Sequence, residues 1–240
     1  ADVPSEMRNF KFIIFKFLSS IPFFKNLHPQ IFILEECFNF ALQKNFLENL
    51  KKYPLPNTGN PNTYKKKKIV FTNKWIRHHW LLKLFEKNLE NKNDLKIILD
   101  IGSNYGLFEY LLKKKYENKK YILVDLPEKL TIAHFFLKKE FPKAKFLTFN
   151  DLSNIKSLNK EIIQDFDFVL LPVFYFNKLD KGSVDLVCNF ASFNEMENKW
   201  FDYYYNSIPV NTCKYIFTLN RLIKPKYDKD SKDQPISILD

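Results

Sequence analysis

The sequence predicts an α/β fold, a parallel sheet with helices on both faces, entered through an N-terminal helical extension. Three observations carry this. From Lys96 onward, short apolar runs alternate with helical segments, the pattern of a parallel sheet built from crossover helices. Before that point, apolar residues recur at helical spacing. Two of the chain's four glycines, Gly102 and Gly106, also stand four apart between a predicted strand and a predicted helix, where a tight turn is needed. With 240 residues, 45% of them hydrophobic, there is enough chain for one full α/β domain plus an appendage.

Ala1–Glu6 precede Met7 and read as an expression remnant. Phe10–Phe24 is strongly apolar, but Lys11 and Lys16 interrupt it and Pro22 closes it. It is shorter than the roughly 20 apolar residues of a membrane span, and no small-residue cleavage site follows, as a signal peptide would require. It reads as a helix that packs on the domain or, being basic, lies on a membrane surface. Residues from Arg8 to about Leu50 form two or three helices, with Phe32, Leu34, Cys37, Phe38, Phe40, Ala41 and Leu42 at helical spacing. Pro54, Pro56, Gly59 and Pro61 break the pattern over Lys52–Asn62. Thr72 then caps a helix through Trp75, Ile76, Trp80, Leu81 and Leu84. The polar stretch Asn91–Asp94 ends the extension, so residues 1–94 are the helical part and 95–240 the sheet domain.

Within that domain the strands are expected at Lys96–Asp100, Tyr121–Asp125, Ala144–Phe149, Asp167–Leu171, Asp185–Phe190 and Lys214–Leu219. The principal helices are expected at Leu107–Tyr116, Lys129–Phe141 and Asn194–Asn206. Arg221–Gln234 is polar and lysine-rich and only Pro235–Asp240 suits a further strand, so the domain reads as truncated or as having a reduced finish.

The formal net charge of +11 would favour an acidic partner. The lysines are nevertheless spread from Lys11 to Lys232, with no arginine-rich, aromatic-interleaved strip, so no nucleic-acid partner is expected. The dense run Lys65–Lys68 reads as a solvated loop. Cys37, Cys188 and Cys213 are odd in number, far apart and without metal-type spacing, which points to a reducing cytoplasm, at the membrane's inner face if the basic N-terminal helix binds there.

The chemistry concentrates in Asp100-Ile101-Gly102-Ser103-Asn104-Tyr105-Gly106. A turn of this kind brings backbone amides and a helix N-terminus close to a ligand. A dinucleotide site is the first competitor, and Asp125, twenty-three residues after Gly102, suits a ribose in either case. Asp100 separates the two: a carboxylate at the mouth of the turn opposes a pyrophosphate and suits a cation. The third glycine of a dinucleotide turn, three past Gly106, is here Glu109.

Asp-x-Gly-x-x-x-Gly after a strand, with Val124-Asp125 ending the next, resembles motifs I and II of class I S-adenosylmethionine-dependent methyltransferases, over roughly Lys96 to Asn220. The resemblance implies a Rossmann-like sheet and S-adenosylmethionine as cofactor, leaving S-adenosylhomocysteine as product. It implies that Asp100, Gly102, Ser103, Asn104, Gly106 and Asn189 surround the cofactor, that Asp125 takes the ribose hydroxyls and that Leu126 lies against the adenine. Asn104 stands where those families commonly carry a middle glycine. Asn150 and Asp151, after the third predicted strand, either contact the adenine amino group or cap the following turn, and Asp125 either binds ribose or caps the helix after Pro127.

The segment Val184–Met196, together with Leu123–Glu128 and Leu219-Asn220-Arg221, resembles the bacterial sugar O-methyltransferase family, which modifies sugars of surface polysaccharides or related glycans. That implies a sugar or glycan acceptor, with Ser192, Asn220 and Arg221 near it. Methyl transfer to a hydroxyl requires aligning the oxygen and removing its proton. Glu195 is the first candidate base and His78 or His79 the second. In the competing readings, Glu195 caps a helix starting near Asn194, and adjacent histidines on one helix cannot both face one site. Some sugar O-methyltransferases bind a divalent metal through carboxylates. Asp151, Asp165, Asp167 and Glu195 are available, but no spacing marks a metal site and none is expected. Two other functions stay open, a nucleic-acid methyltransferase, favoured by the charge, and a cofactor-binding, non-catalytic subunit, favoured by the short C-terminal part.

Overall fold

The structure, a computed structural model, describes residues 29–89 and 92–220. The expectations for Ala1–Glu6, Phe10–Phe24, Arg221 and Pro235–Asp240 lie outside them. The chain forms two compact units that divide between Lys87 and Asn88.

In the first unit, α1 (Pro29–Gln43) and α2 (Leu47–Lys52) precede a hairpin of β1 (Tyr64–Lys66) and β2 (Ile69–Phe71), and α3 (Asn73–Asn88) follows. Thr72 caps α3 as its position predicts: its Oγ1 accepts from the Trp75 amide at 3.1 Å. Phe71 from the hairpin packs on Phe38 of α1, with ring centroids 5.6 Å apart. The hairpin corrects the reading of Lys65–Lys68 as a loop. Lys66 pairs with Ile69 across an antiparallel ladder, and Lys67 and Lys68 turn the chain with φ of 47° and 67°. Two consecutive positive φ values are what a two-residue hairpin demands, and Asn-Gly usually signals it. A lysine pair carries no such signal. The Tyr64 hydroxyl and the Lys66 ammonium both bond to Glu35 of α1, which pins the hairpin down.

The second unit is a six-stranded, fully parallel sheet of Rossmann type. Its strands are β3 (Ile97–Ile101), β4 (Lys120–Asp125), β5 (Phe146–Leu147), β6 (Phe168–Pro172), β7 (Leu186–Phe190) and β8 (Tyr215–Leu219), in the spatial order β5-β6-β4-β3-β7-β8. The connections include α4 (Leu107–Lys115), α5 (Pro127–Glu140), α6 (Phe149–Ser153), α7 (Lys160–Gln164), α8 (Asn198–Tyr205) and α9 (Ile208–Thr212). Ile97, Leu99 and Ile101 of β3, Ile122 and Val124 of β4, and Val169 and Leu171 of β6 are buried in one continuous core, as continuous apolar runs in a parallel sheet must be. After β3 the chain builds outward through β4, then crosses from β6 to β7 on the other side of β3. The strand order therefore reverses between β3 and β7, and ligands of such sheets bind beyond the carboxyl ends of the strands at that point.

Two elements depart from expectation. The third predicted strand, Ala144–Phe149, shortens to Phe146–Leu147 at the sheet's edge, and β6 inserts between it and β4. The predicted helix Asn194–Asn206 begins only at Asn198. Ahead of it, Phe193–Glu195 form a separate 3-10 turn closed by Glu195 N to Ser192 O at 3.0 Å, and Met196 then turns extended.

Candidate cofactor and acceptor site

The Asp100–Gly106 turn is held to the neighbouring strand by its own backbone. The amides of Gly102 and Ser103 donate to Val124 O at 2.8 and 3.3 Å, and that of Gly106 closes on Ser103 O at 3.1 Å. Gly102, Asn104 and Gly106 all have left-handed backbones, with φ of 79°, 55° and 80°. Asparagine tolerates that region better than other side-chain-bearing residues, so Asn104 adopts the conformation a middle glycine would. At Gly106 an added Cβ would come within 2.9 Å of Leu137 Cδ1 and 3.0 Å of Leu123 Cδ2, and the missing side chain lets α4 start close against β4 and α5. The Ser103 hydroxyl is buried in the turn with no hydrogen-bond partner among the described residues.

Asp100, paired in register with Leu123 on one side and Cys188 on the other, is only 4% exposed. Burial, then the charge and hydrogen bonding of Glu109, then the charge of Asp125, hold its carboxyl well above the ordinary carboxylate range. Glu109, in the first turn of α4, is itself buried and its carboxyl is raised, chiefly by burial. In the sequence, Glu109 speaks only against a dinucleotide turn. A charged residue in a helix's first turn ordinarily signals the helix dipole and solvent, so its burial beneath the turn had no signal.

Asp125 lies at the end of β4, opposite Pro172 of β6. Its Oδ2 accepts from Asn104 N at 2.7 Å and its Oδ1 from Leu126 N at 2.7 Å. The carboxylate thus braces the glycine turn from the next strand, and each oxygen keeps a second lone-pair direction. Burial raises its pKa, and the two amide bonds act against that rise. It does not cap the following helix: α5 has Leu126 at its N-cap, with no side-chain bond there. The Leu126 side chain is 50% exposed.

The inserted β6 changes what flanks Asp125. The 3-10 segment Val173–Lys178, leaving β6, packs against β4, and it carries Phe174 (51% exposed) and Tyr175, which stacks on Phe149 with rings 11° from parallel. Asn150 and Asp151 follow β5, one strand further out. Asp151 makes a capping box with Thr148, accepting from its amide at 2.9 Å and its hydroxyl at 2.8 Å.

The exit of β7 carries the remaining candidates. Asn189 is fully buried and ties three segments together: its Nδ2 donates to Ile101 O at 2.8 Å, and its Oδ1 accepts from Phe193 N at 3.2 Å and Asn220 Nδ2 at 3.0 Å. Ala191 turns the chain with a φ of 58°, an uncommon conformation for a residue with a Cβ. Ser192 then comes to rest on Gly102, so close that a Cβ there would stand 2.0 Å from its Oγ. Ser192 therefore lies directly over the glycine turn. Glu195, three residues further, is exposed, and since α8 starts at Asn198 it does not cap that helix. Asn220 also donates to Thr218 Oγ1 at 3.2 Å, and its own Oδ1 is buried without a partner among the described residues.

His78 and His79 belong to the first unit. His78 Nδ1 is 2.6 Å from Lys74 O one turn earlier on α3, and His79 is fully buried against Trp75, with centroids 4.7 Å apart. They point different ways, as adjacent helical residues must. Among the described residues no group of three or more His, Cys, Asp or Glu is placed to hold a metal ion, and no helix is long and apolar enough to cross a membrane.

No protein-family model and no curated protein matches the chain. Solved structures similar to it include the methyltransferase domain of bacterial CtHen1 (14% identity, TM-score 0.35, 56% of this chain and 57% of that one). Others are mitomycin 7-O-methyltransferase MmcR (9%, TM-score 0.39, 65% and 42%) and PigF with S-adenosylhomocysteine (15%, TM-score 0.35, 57% and 38%). The chain spans less than two thirds of the length of each.

Proposed function

We propose that this chain is an S-adenosylmethionine-dependent O-methyltransferase acting on a sugar hydroxyl of a surface polysaccharide or related glycan precursor. The observation that carries the cofactor part is the bracing of the left-handed Gly102–Asn104–Gly106 turn by Asp125 from the adjacent strand. It sets a glycine-walled backbone beside a carboxylate with lone pairs to spare for two ribose hydroxyls. The cofactor supplies a methyl group on a positively charged sulfur, already a good leaving group. The protein's share is then to bind, orient and deprotonate. Asp100 offers negative charge to the ammonium of the methionine part, and Leu126, with Phe174 beyond it, offers an apolar wall to the adenine. Ser192, lying over Gly102, orients the acceptor together with Asn220, and Glu195 on the exposed turn beyond it takes the hydroxyl proton. The sugar acceptor rests on the family resemblance of Val184–Met196.

Methyl-labelled S-adenosylmethionine incubated with the full chain and panels of nucleotide-sugars, glycans and nucleic acids tests this. Label should reach a sugar hydroxyl. Glu195→Gln should lower turnover by about 10²–10⁴ while cofactor affinity stays at the wild-type level. Label in nucleic acid alone would replace the acceptor class, and cofactor binding with no transfer to any panel would favour the non-catalytic subunit. A fully active Glu195→Gln chain would move the base to His78 or His79.

A further inference from the structure

Beneath the glycine turn two carboxyl groups meet out of water. Asp100, at the end of β3, and Glu109, in the first turn of α4, are 4% and 2% exposed and lie within hydrogen-bonding reach of each other. Among the described residues, the titratable groups that interact most strongly with them are Asp125 and Tyr121 from β4 and Cys188 from β7, none of them a cation. Written as two carboxylates, the pair leaves Asp100 Oδ1 and both Glu109 oxygens without a hydrogen-bond partner among the described residues, with Glu109's own amide the one backbone group that favours its charged form. Two buried like charges with unsatisfied oxygens carry both a desolvation and a repulsion cost. One proton placed between them removes a charge and supplies the missing donor.

We propose that Asp100 and Glu109 share one proton near neutral pH, that Glu109 is thereby the positioning residue for Asp100, and that a cationic ligand at the turn expels the proton. The ligand step rests on the cofactor reading above, and the shared proton does not. The ammonium of the methionine part brings one positive charge to the pair, and the proton leaves to solvent as the pair goes from one negative charge to two. Binding that releases a proton strengthens as pH rises, by up to about tenfold per pH unit where the free pair holds its proton and the bound pair does not.

Calorimetry of the full chain with S-adenosylhomocysteine, in buffers of different ionisation enthalpy between about pH 5.5 and 8.5, counts the protons. Wild type should release protons on binding. Glu109→Gln gives Asp100 a permanent amide donor and should abolish most of that release, leaving affinity nearly flat with pH. Thermal unfolding without ligand is the second readout. The folded pair keeps a proton that the unfolded chain gives up, so wild-type stability should fall as pH rises above the ordinary carboxylate range. The stability margin of Glu109→Gln over wild type should widen over the same range. Binding without proton release, or a margin that does not change with pH, would overturn the proposal. If folded wild type fails to bind S-adenosylhomocysteine, the cofactor reading and the expulsion step fall together, and the unfolding titration still decides the shared proton. If Glu109→Gln does not fold, the wild-type proton count decides.

Discussion

Gly102 tolerates no side chain, for two separable reasons: its φ of 79° and the Ser192 Oγ that would stand 2.0 Å from an added Cβ. Gly102→Ala should cost about 1–3 kcal/mol in denaturant unfolding. Adding Ser192→Gly removes the contact and leaves the backbone strain, so it should restore only part of that loss. An alanine chain as stable as wild type would mean that the turn opens easily and that Ser192 does not rest on it. At this scale the sequence was readable where scarcity marked a residue. Four glycines in the chain made the pair at 102 and 106 conspicuous, and the carboxylates at 100 and 125 stood at spacings with a chemical meaning. Asn189 and Glu109 were not readable in the same way. Asn189 bonds to Ile101 and Asn220, which only the folded sheet brings to it, as well as to Phe193 four residues on.

Asp185 shows how an element is anchored at the opposite end of the sheet. Its Oδ2 accepts from the amides of Lys96 and Ile97 at 2.8 and 3.0 Å, where β3 begins, and its Oδ1 meets Lys160 at 3.2 Å and Lys214 at 3.1 Å. Burial pushes its carboxyl upward, but the amide and lysine donors outweigh burial and hold it below the ordinary range. A folded pKa below the unfolded one contributes stability that is present above the unfolded value and lost as pH falls through the folded value. Asp185→Asn should therefore cost about 1.5–3 kcal/mol near neutral pH, with the gap from wild type closing in acid. Urea unfolding at neutral pH and near about pH 3 checks this, and a gap independent of pH would contradict it. All six strands of the sheet were legible as apolar runs: β3, β4, β6 and β7 because a strand buried on both faces has little else to be, and the largely exposed β8 because its aromatic and branched residues favour an extended backbone. Their neighbours were not. Nothing in the run Phe168–Pro172 says that it lies inside Phe146–Leu147, and that order is what puts Phe174 rather than Asn150 in the segment flanking Asp125. The lysine hairpin escaped for a similar reason, since its turn uses residues that rarely take positive φ.

For the molecule as a whole, a charge of +11 invites a nucleic-acid reading. Lysines dispersed over the chain give a nonspecific attraction that is driven by counterion release and so weakens steeply as salt is added. Binding to duplex DNA or structured RNA should therefore be weak at low salt and fall by orders of magnitude as salt approaches physiological strength. Filter binding across a salt series measures this, and tight, salt-resistant binding would make nucleic acid the acceptor to test first. The central claim is that the braced turn binds S-adenosylmethionine and its product. Calorimetric titration of the wild type and of Asp125→Ala with S-adenosylhomocysteine, and of the wild type with NAD, tests it most directly. S-adenosylhomocysteine should bind wild type, Asp125→Ala should lose about 1.5–3 kcal/mol for each ribose bond removed, and NAD should give no heat. Equal affinity in wild type and variant, or a preference for NAD, would contradict it.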